Sequence, residues 1–266
     1  MAAASGVPKH VVRGAHLPRR SMHRVLIVPS AVQNATVTIR DPQTLHHLLN
    51  VLRVQLGDRL DCFDGQGHRY IGTVRQRAHH HLLLTIDRQD DEPAGLLRIT
   101  LAQALIQPQR FEWLIQKATE LGVDRIVPVL TSRTRVQRFV HGGSPQRLGR
   151  WKRIVEQAAR QCGRATLPCL EAPQPFEPLV RALGGKPAVL LTLTEAGILL
   201  GEYLQTLGGA ASLTMLIGPE GDFSPDEVRL AATHGVRVAR LGGTTLRSET
   251  AGLVAIALVQ HAVGVL

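Results

Sequence analysis

The period of apolar residues changes character near residue 92. Before it, short runs in which apolar and polar residues alternate read as strands at Arg24–Val28, Ala35–Ile39, Arg59–Phe63, Tyr70–Arg75 and Leu82–Asp87. Turn residues separate them, Asp64-Gly65-Gln66-Gly67 being the hairpin-like case. A helical spacing over Pro42–Val51 interrupts the series. Several small strands at this spacing predict a compact β-barrel. The polar, Pro- and Gly-bearing stretch Asp90-Asp91-Glu92-Pro93-Ala94-Gly95 reads as the linker that ends it.

Beyond the linker, strands alternate with helices. Strands are expected at Arg98–Leu105, Ile126–Leu130, Ala188–Leu193, Leu213–Ile217 and Val238–Leu241. Helices are expected at Phe111–Glu120, capped by Gly122, at Gln146–Gln161, from Pro225 to about His234, and from about Glu249 to Val263. Ser224-Pro225-Asp226-Glu227 is a strong helix start, with Ser224 as cap, Pro225 in the first turn and Glu227 closing a capping box. Such alternation predicts an α/β domain with a mainly parallel sheet. The chain therefore divides into a basic arm (1–21), a barrel (22–92) and an α/β domain (93–266).

With 266 residues, 44% of them hydrophobic, the chain can bury a full core. Gly, Arg or Pro interrupts every apolar stretch before the roughly 20 residues that a membrane helix needs. The net charge is +10, and only four of the 31 basic residues are lysine (Lys9, Lys117, Lys152 and Lys186). Arginine's planar fork suits phosphates and base edges, although GC-rich coding inflates arginine as well. Residues 1–40 hold no Asp or Glu and no continuous apolar core. They read as a flexible basic arm, a transit peptide, or an upstream start ahead of Met22, and not as a secretory signal. Cys62, Cys162 and Cys169 show no metal-ligand spacing and point to a reducing cytosol, hence a cytoplasmic protein. His79-His80-His81 carries no metal on this reading, since neighbouring histidines on a strand face opposite ways.

Two glycine-rich turns carry the chemistry. Leu216-Ile217-Gly218-Pro219-Glu220-Gly221 follows one strand, and Leu241-Gly242-Gly243-Thr244-Thr245-Leu246 follows the next. Open α/β sheets bind ligands at the carboxyl ends of their strands, where glycines admit a ligand to the backbone. Either turn alone would also serve as an ordinary strand-to-helix crossing. Neither matches a P-loop, a dinucleotide fingerprint, a nucleophile elbow or a zinc-protease motif.

Together, Gly218-Pro219-Glu220-Gly221, Leu241-Gly242 and Leu246-Arg247-Ser248-Glu249-Thr250-Ala251 closely resemble the C-terminal signature of the small-subunit ribosomal RNA uridine-N3 methyltransferases. The resemblance includes Gln116-Lys117-Ala118-Thr119-Glu120-Leu121-Gly122-Val123, Gln161-Cys162-Gly163-Arg164, His47 with Val51-Leu52-Arg53, and Phe63-Asp64-Gly65. It spans about residues 22–264. Two positions depart from the family: Arg160 stands where a Glu is usual, and Asp222 where a second Gly is frequent. Asp tolerates positive φ better than most residues, so the turn survives.

The resemblance implies a PUA-like N-terminal barrel that binds RNA and a C-terminal SPOUT domain, with a parallel sheet and a deep trefoil knot. It implies S-adenosylmethionine as cofactor, held by Leu193, by Leu216, Ile217, Gly218, Pro219, Glu220 and Gly221, and by Leu241, Gly242 and Leu246. A homodimer acting on small-subunit ribosomal RNA follows in the same way, the assembled subunit being the expected substrate. Methylation at N3 must discharge an imide proton while charge grows on the flanking carbonyl oxygens. A guanidinium stabilises such charge, which points to Arg247 and secondarily Arg24. Glu249 is the nearest carboxylate that could act as base, though a Glu also suits a helix start. RNA contacts are expected in the arginine-rich span 110–164, with Arg53 added: Lys117, Arg133, Arg135, Lys152 and Arg164. Aromatics make up 3% of the chain, so phosphate contact should outweigh base stacking. The competing readings are a noncatalytic RNA-binding homodimer, which would not bind the cofactor, and an enzyme on a small nucleotide or metabolite, which would not accompany ribosomal particles.

Overall fold

The computed structural model describes residues 22–93, 95–135, 145–194 and 197–266. The arm expected at residues 1–21 lies outside the described residues.

The first sheet has six strands: β1 (His23–Leu26), β2 (Val32–Gln33), β3 (Thr36–Ile39), β4 (Arg59–Phe63), β5 (His68–Ala78) and β6 (His81–Asp91). Their order is β1-β4-β5-β6-β3-β2, antiparallel except for the β1–β4 pair. Val37, Leu60, Leu82 and Leu84, fully buried, form its core with Leu45 and Leu48. The helix expected over Pro42–Val51 is a five-residue α1 (Pro42–His46) that widens into a π turn over His47–Val51. Asp41 caps it by accepting the Thr44 amide at 2.8 Å.

β6 runs further than its apolar pattern, through Asp90 and Asp91. These residues face Arg69 and His68 across the ladder, and His68 Nδ1 lies 2.8 Å from Asp91. Opposite charges on facing strand positions favour pairing, which the apolar period cannot register. Nor is the following residue a free linker. The Glu92 carboxylate accepts from the amides of Ala165 (3.0 Å) and Thr166 (2.6 Å) and from the Thr166 hydroxyl (2.7 Å). Around this clamp, buried Phe63 packs with Ala159 and Ala165.

The second sheet comprises β7 (Arg98–Ala104), β8 (Arg125–Leu130), β9 (Cys169–Leu170), β10 (Gln174–Pro175), β11 (Ala188–Leu191), β12 (Ile198–Leu199), β13 (Ser212–Ile217) and β14 (Arg237–Arg240). Every pairing in it is parallel, in the order β10-β8-β7-β13-β11-β14-β12, with β9 also on β8. Parallel strands are covered on both faces and so read as unbroken apolar runs, as Ala188-Val189-Leu190-Leu191 does.

One face is covered by α2 (Pro108–Glu120), α3 (Pro145–Cys162), α5 (Leu200–Gln205) and α7 (Ser248–Ala262), with Phe111 and Trp151 rings 4.8 Å apart in its core. The other is covered by α4 (Phe176–Leu183) and α6 (Pro225–Thr233), where Phe176 and Phe223 rings are 5.3 Å apart. The α6 start carries the full capping box expected of Ser224 and Glu227. Gly122 ends α2 at φ +89°. Elements of two residues, and the short α4 and α5, are too brief for a period to reveal.

Candidate active site

Because all these strands run the same way, the carboxyl ends of β11, β13 and β14 lie side by side at one edge of the sheet. The loops leaving them, with the start of α7, enclose a pocket of about 450 Å³. That lies in the range of small-molecule sites. Of the residues expected to hold a cofactor, Leu193, Ile217, Gly218, Pro219, Glu220, Leu241, Gly242 and Leu246 line it. Leu216 does not, because strand alternation turns it into the core beneath, where it is 1% exposed. Gly221 does not either: a Cβ there would point at Arg133, 3.6 Å away. Gly218 does line the pocket, yet a Cβ on it would meet Asp222 and Phe223 at 3.2 Å, so its small size serves the turn itself.

Several lining residues escaped the sequence reading. Asp222, at φ +59°, folds its carboxylate back onto the β11 loop. There it accepts from the Thr192 hydroxyl at 2.7 Å and the Leu193 amide at 3.0 Å. An apparent loss of glycine thus becomes a tie between two pocket loops. Beneath the pocket, fully buried Gln103 of β7 donates Nε2 to Ser248 Oγ at 2.8 Å, and Ser248 donates to the Gly218 carbonyl. Strand and helix are thereby locked to the first glycine turn by residues 145 apart in sequence. Only the tertiary fold brings them together.

Charge is concentrated at the α7 start. Arg247 occupies the N-cap position without capping by its side chain, lines the pocket, and is exposed. Among the described residues it makes no ion pair, so its guanidinium is free for a ligand. Glu249 is 6% exposed, and its Oε2 has no hydrogen-bond partner among the described residues. Arg110 of α2 bridges the first glycine turn and the α7 start, 4.0 Å from Glu220 and 3.8 Å from Glu249, and both Arg110 and Glu249 lie behind the residues that line the pocket. The unbonded carboxylate oxygen leaves a hydrogen-bond acceptor at the α7 start. The first amides of α7 have no intrahelical partner and can serve a ligand.

Arg24 is not brought to this pocket. Its guanidinium lies 4.5 Å over the Phe63 ring and donates to the Arg164 carbonyl at 2.7 Å, in the seam between the two sheets. Burial lowers its pKa, with nearby Asp61 opposing. The motifs Phe63-Asp64-Gly65 and Gln161-Cys162-Gly163-Arg164 meet at the same seam, where Leu167 donates its amide to Gly65 at 2.9 Å. Arg164 spends its side chain on the carbonyls of Thr119 (3.0 Å) and Val123 (2.8 Å). Arg133 clasps the first glycine turn through the carbonyls of Gly221 (2.8 Å) and Phe223 (3.2 Å). Lys117 pairs with Glu120 at 2.9 Å. Arg160, which stands where the family usually has Glu, reaches Glu156 at 3.7 Å. Arg135, Lys152 and Arg53 are exposed, and Arg53 holds φ +54° after the π turn.

Residues 93–260 match an RNA methyltransferase domain, and residues 39–87 match an RNA methyltransferase PUA domain. The chain is 36% identical over 239 residues to the ribosomal RNA small subunit methyltransferase E of Synechocystis, covering 88% of this chain and 76% of that one. Its counterpart in Mycobacterium bovis is 30% identical, with 90% of each covered. Among solved structures, the ribosomal RNA small subunit methyltransferase E of Neisseria gonorrhoeae, bound to S-adenosyl methionine, superposes with a TM-score of 0.78 at 28% identity. That match covers 90% of this chain and 97% of the other. A Legionella pneumophila methyltransferase with bound S-adenosylmethionine also gives a TM-score of 0.78 at 28% identity, covering 91% of this chain and 98% of that one. This chain therefore belongs to the RNA methyltransferase family that includes the ribosomal RNA small subunit methyltransferases E.

Proposed function

We propose that this protein transfers a methyl group from S-adenosylmethionine to N3 of a uridine in small-subunit ribosomal RNA, within the assembled subunit and in the cytoplasm. The observation that carries the reading is the convergence of both glycine turns and the α7 start on one pocket of about 450 Å³. Its walls suit the cofactor: apolar Leu193, Leu241 and Leu246 for the adenosine, backbone groups of the glycine turns for polar edges, and the carboxylates of Glu220 and Asp222 for positive charge. Bound there, the cofactor supplies a methyl group already activated on a sulfonium. The chain's own residues align the partners and manage charge. Arg247, free at the pocket mouth, stabilises the negative charge that develops on the uracil oxygens. Glu249 takes the N3 proton, with Arg110 beside it to hold the resulting charge balance. Arg135, Lys152 and Arg53 contribute phosphate contacts, while Lys117, Arg133 and Arg164 act chiefly within the fold.

The fold class we infer is a SPOUT domain (93–266) with a deep trefoil knot, joined to a PUA-like barrel (22–92). In support, β13 inserts between β7 and β11, β14 lies on the outer side of β11, and α7 then returns over β7 and β13. A homodimer fits the partly exposed apolar face of α7 at Val254, Ala257 and Leu258. No described helix is long and apolar enough to cross a membrane.

The test is to mix the protein, labelled S-adenosylmethionine and undermodified small subunits, then map the methyl group. Labelling at one uridine N3 is expected. Arg247→Ala should lower the single-turnover rate roughly a hundredfold, the scale of a lost oxyanion donor, with little change in cofactor dissociation. Labelling at a ribose or at another base would refute the reaction, and a near-normal rate for Arg247→Ala would refute its role.

A further inference from the structure

The methyl-transfer pocket holds a cation that the chemistry above leaves unused. Arg240 is the last residue of β14, and its register partner is Leu199 of β12, the strand at that edge of the sheet. From there it lines the pocket, half-buried, just before the second glycine turn, as Arg247 lines it just after. Its Nε donates to the Gly197 carbonyl at 3.3 Å, and its Nη1 lies 3.9 Å from where a Cβ on Gly242 would stand. The guanidinium is thus laid along the wall of the pocket. Four of an arginine's five N–H groups sit on the two terminal nitrogens, which the bond to Gly197 leaves available.

Among the described residues Arg240 makes no ion pair. The two carboxylates that line the same pocket are directed elsewhere. Glu220 lies 4.0 Å from Arg110, and Asp222 accepts from Thr192, Leu193 and Phe223. A half-buried guanidinium gives up hydration, and an anion bound in the pocket restores what it has lost. S-adenosylmethionine has two cationic groups, the sulfonium and the ammonium, and one anionic group, the carboxylate of its methionine part. The pocket's acids suit the cationic groups, and the carboxylate calls for a cation. A guanidinium meets a carboxylate edge to edge through two parallel N–H donors. Arg247 is the exposed alternative, where water weakens such a pair. We propose that Arg240 holds the carboxylate of the cofactor's methionine part, and so selects the complete cofactor over compounds that share only its adenosine. The proposal rests on the reading of this pocket as the S-adenosylmethionine site.

The test uses the full chain and two ligands, S-adenosylmethionine and its decarboxylated form, which lacks only that carboxylate. Calorimetric titration gives both dissociation constants, and thermal melts check that each variant is folded. The wild type should bind S-adenosylmethionine about tenfold or more tighter than the decarboxylated form, the scale of charge-assisted hydrogen bonds. Arg240→Ala should lose most of that preference, binding S-adenosylmethionine about tenfold more weakly while the decarboxylated form keeps its wild-type affinity. Arg240→Gln, which can still donate to the Gly197 carbonyl, should behave like Arg240→Ala, and Arg240→Lys should keep part of the preference. Equal weakening of both ligands would make Arg240 a prop for the loop at Gly197 and overturn the proposal. So would a wild type without preference, an unchanged preference in Arg240→Ala, full preference in Arg240→Gln, or a preference lost in Arg247→Ala instead. A flatter salt dependence of RNA binding in Arg240→Ala, with cofactor affinity intact, would give the residue to a phosphate and overturn the proposal as well. Wild-type protein that binds neither ligand would overturn the cofactor reading along with it.

Discussion

Gly252 lies in the middle of α7, where alanine would ordinarily gain about 1 kcal/mol of helix propensity. Here the gain should be reversed. A Cβ at this position would stand 2.9 Å from Gln103 Oε1 and 3.3 Å from Leu114 Cδ1. Gln103 is fully buried, and its amide nitrogen donates to Ser248 Oγ at 2.8 Å and to the Ala104 carbonyl at 3.2 Å. Moving the amide away breaks both bonds, at roughly 0.5–1.5 kcal/mol each, and strains the Leu114 contact as well. Set against the propensity gain, Gly252→Ala should destabilise by roughly 1–2 kcal/mol and lower Tm by roughly 2–8 °C. It should also weaken S-adenosylmethionine binding several-fold, because Ser248 anchors the Gly218 carbonyl. A double-mutant cycle isolates the cause. In a Gln103→Ala background the obstruction is gone, so adding Gly252→Ala should now stabilise, by up to about 1 kcal/mol. Thermal melts of the four proteins, with calorimetric titration of the cofactor, give every quantity. Gly252→Ala stabilising the wild type, or having the same sign in both backgrounds, would refute the argument.

Asp222→Gly relieves a positive φ while removing the tie to Thr192 and Leu193, so Tm should change little and cofactor affinity should fall several-fold. Asp222→Ala keeps the strain and loses the bonds, so it should melt below the glycine variant; the reverse order would show that the tie is idle. Glu92→Ala removes three acceptor contacts at the seam, at roughly 1–3 kcal/mol, and should let limited proteolysis cut near residue 93. Protection equal to the wild type would place the strength of the seam elsewhere. Burial pushes the Cys62 thiol up from an ordinary 9.0 to about 12. A raised folded pKa makes this contribution complete below pH 9 and lost as pH climbs toward 12, so the denaturation midpoint should drop over that range, and less so in Cys62→Val.

The sequence by itself determined what depends on near neighbours along the chain. Strand runs such as Arg59–Phe63, the α6 capping box, the Gly122 helix end and the positive φ of Asp222 are local matters of period, hydrogen bonding and backbone freedom. The two glycine turns were legible for the same reason, since each marks a strand end leading toward a helix, and their pairing carried the family. Tertiary structure decided which groups meet. A row of motif residues does not say that Arg24 and Arg164 serve a seam, or that Arg133 clasps a turn 88 residues away. Leu216 and Ile217 are equivalent in hydrophobicity, and only the sheet decides that they pack into the cores of its two opposite faces, with Ile217 also bordering the pocket. Gln103, Ser248 and Gly218 form one network because β7 and β13 lie side by side and α7 packs across them. Such contacts leave no period in the sequence. They arise from strand order, which is fixed by how the whole chain buries its apolar surface.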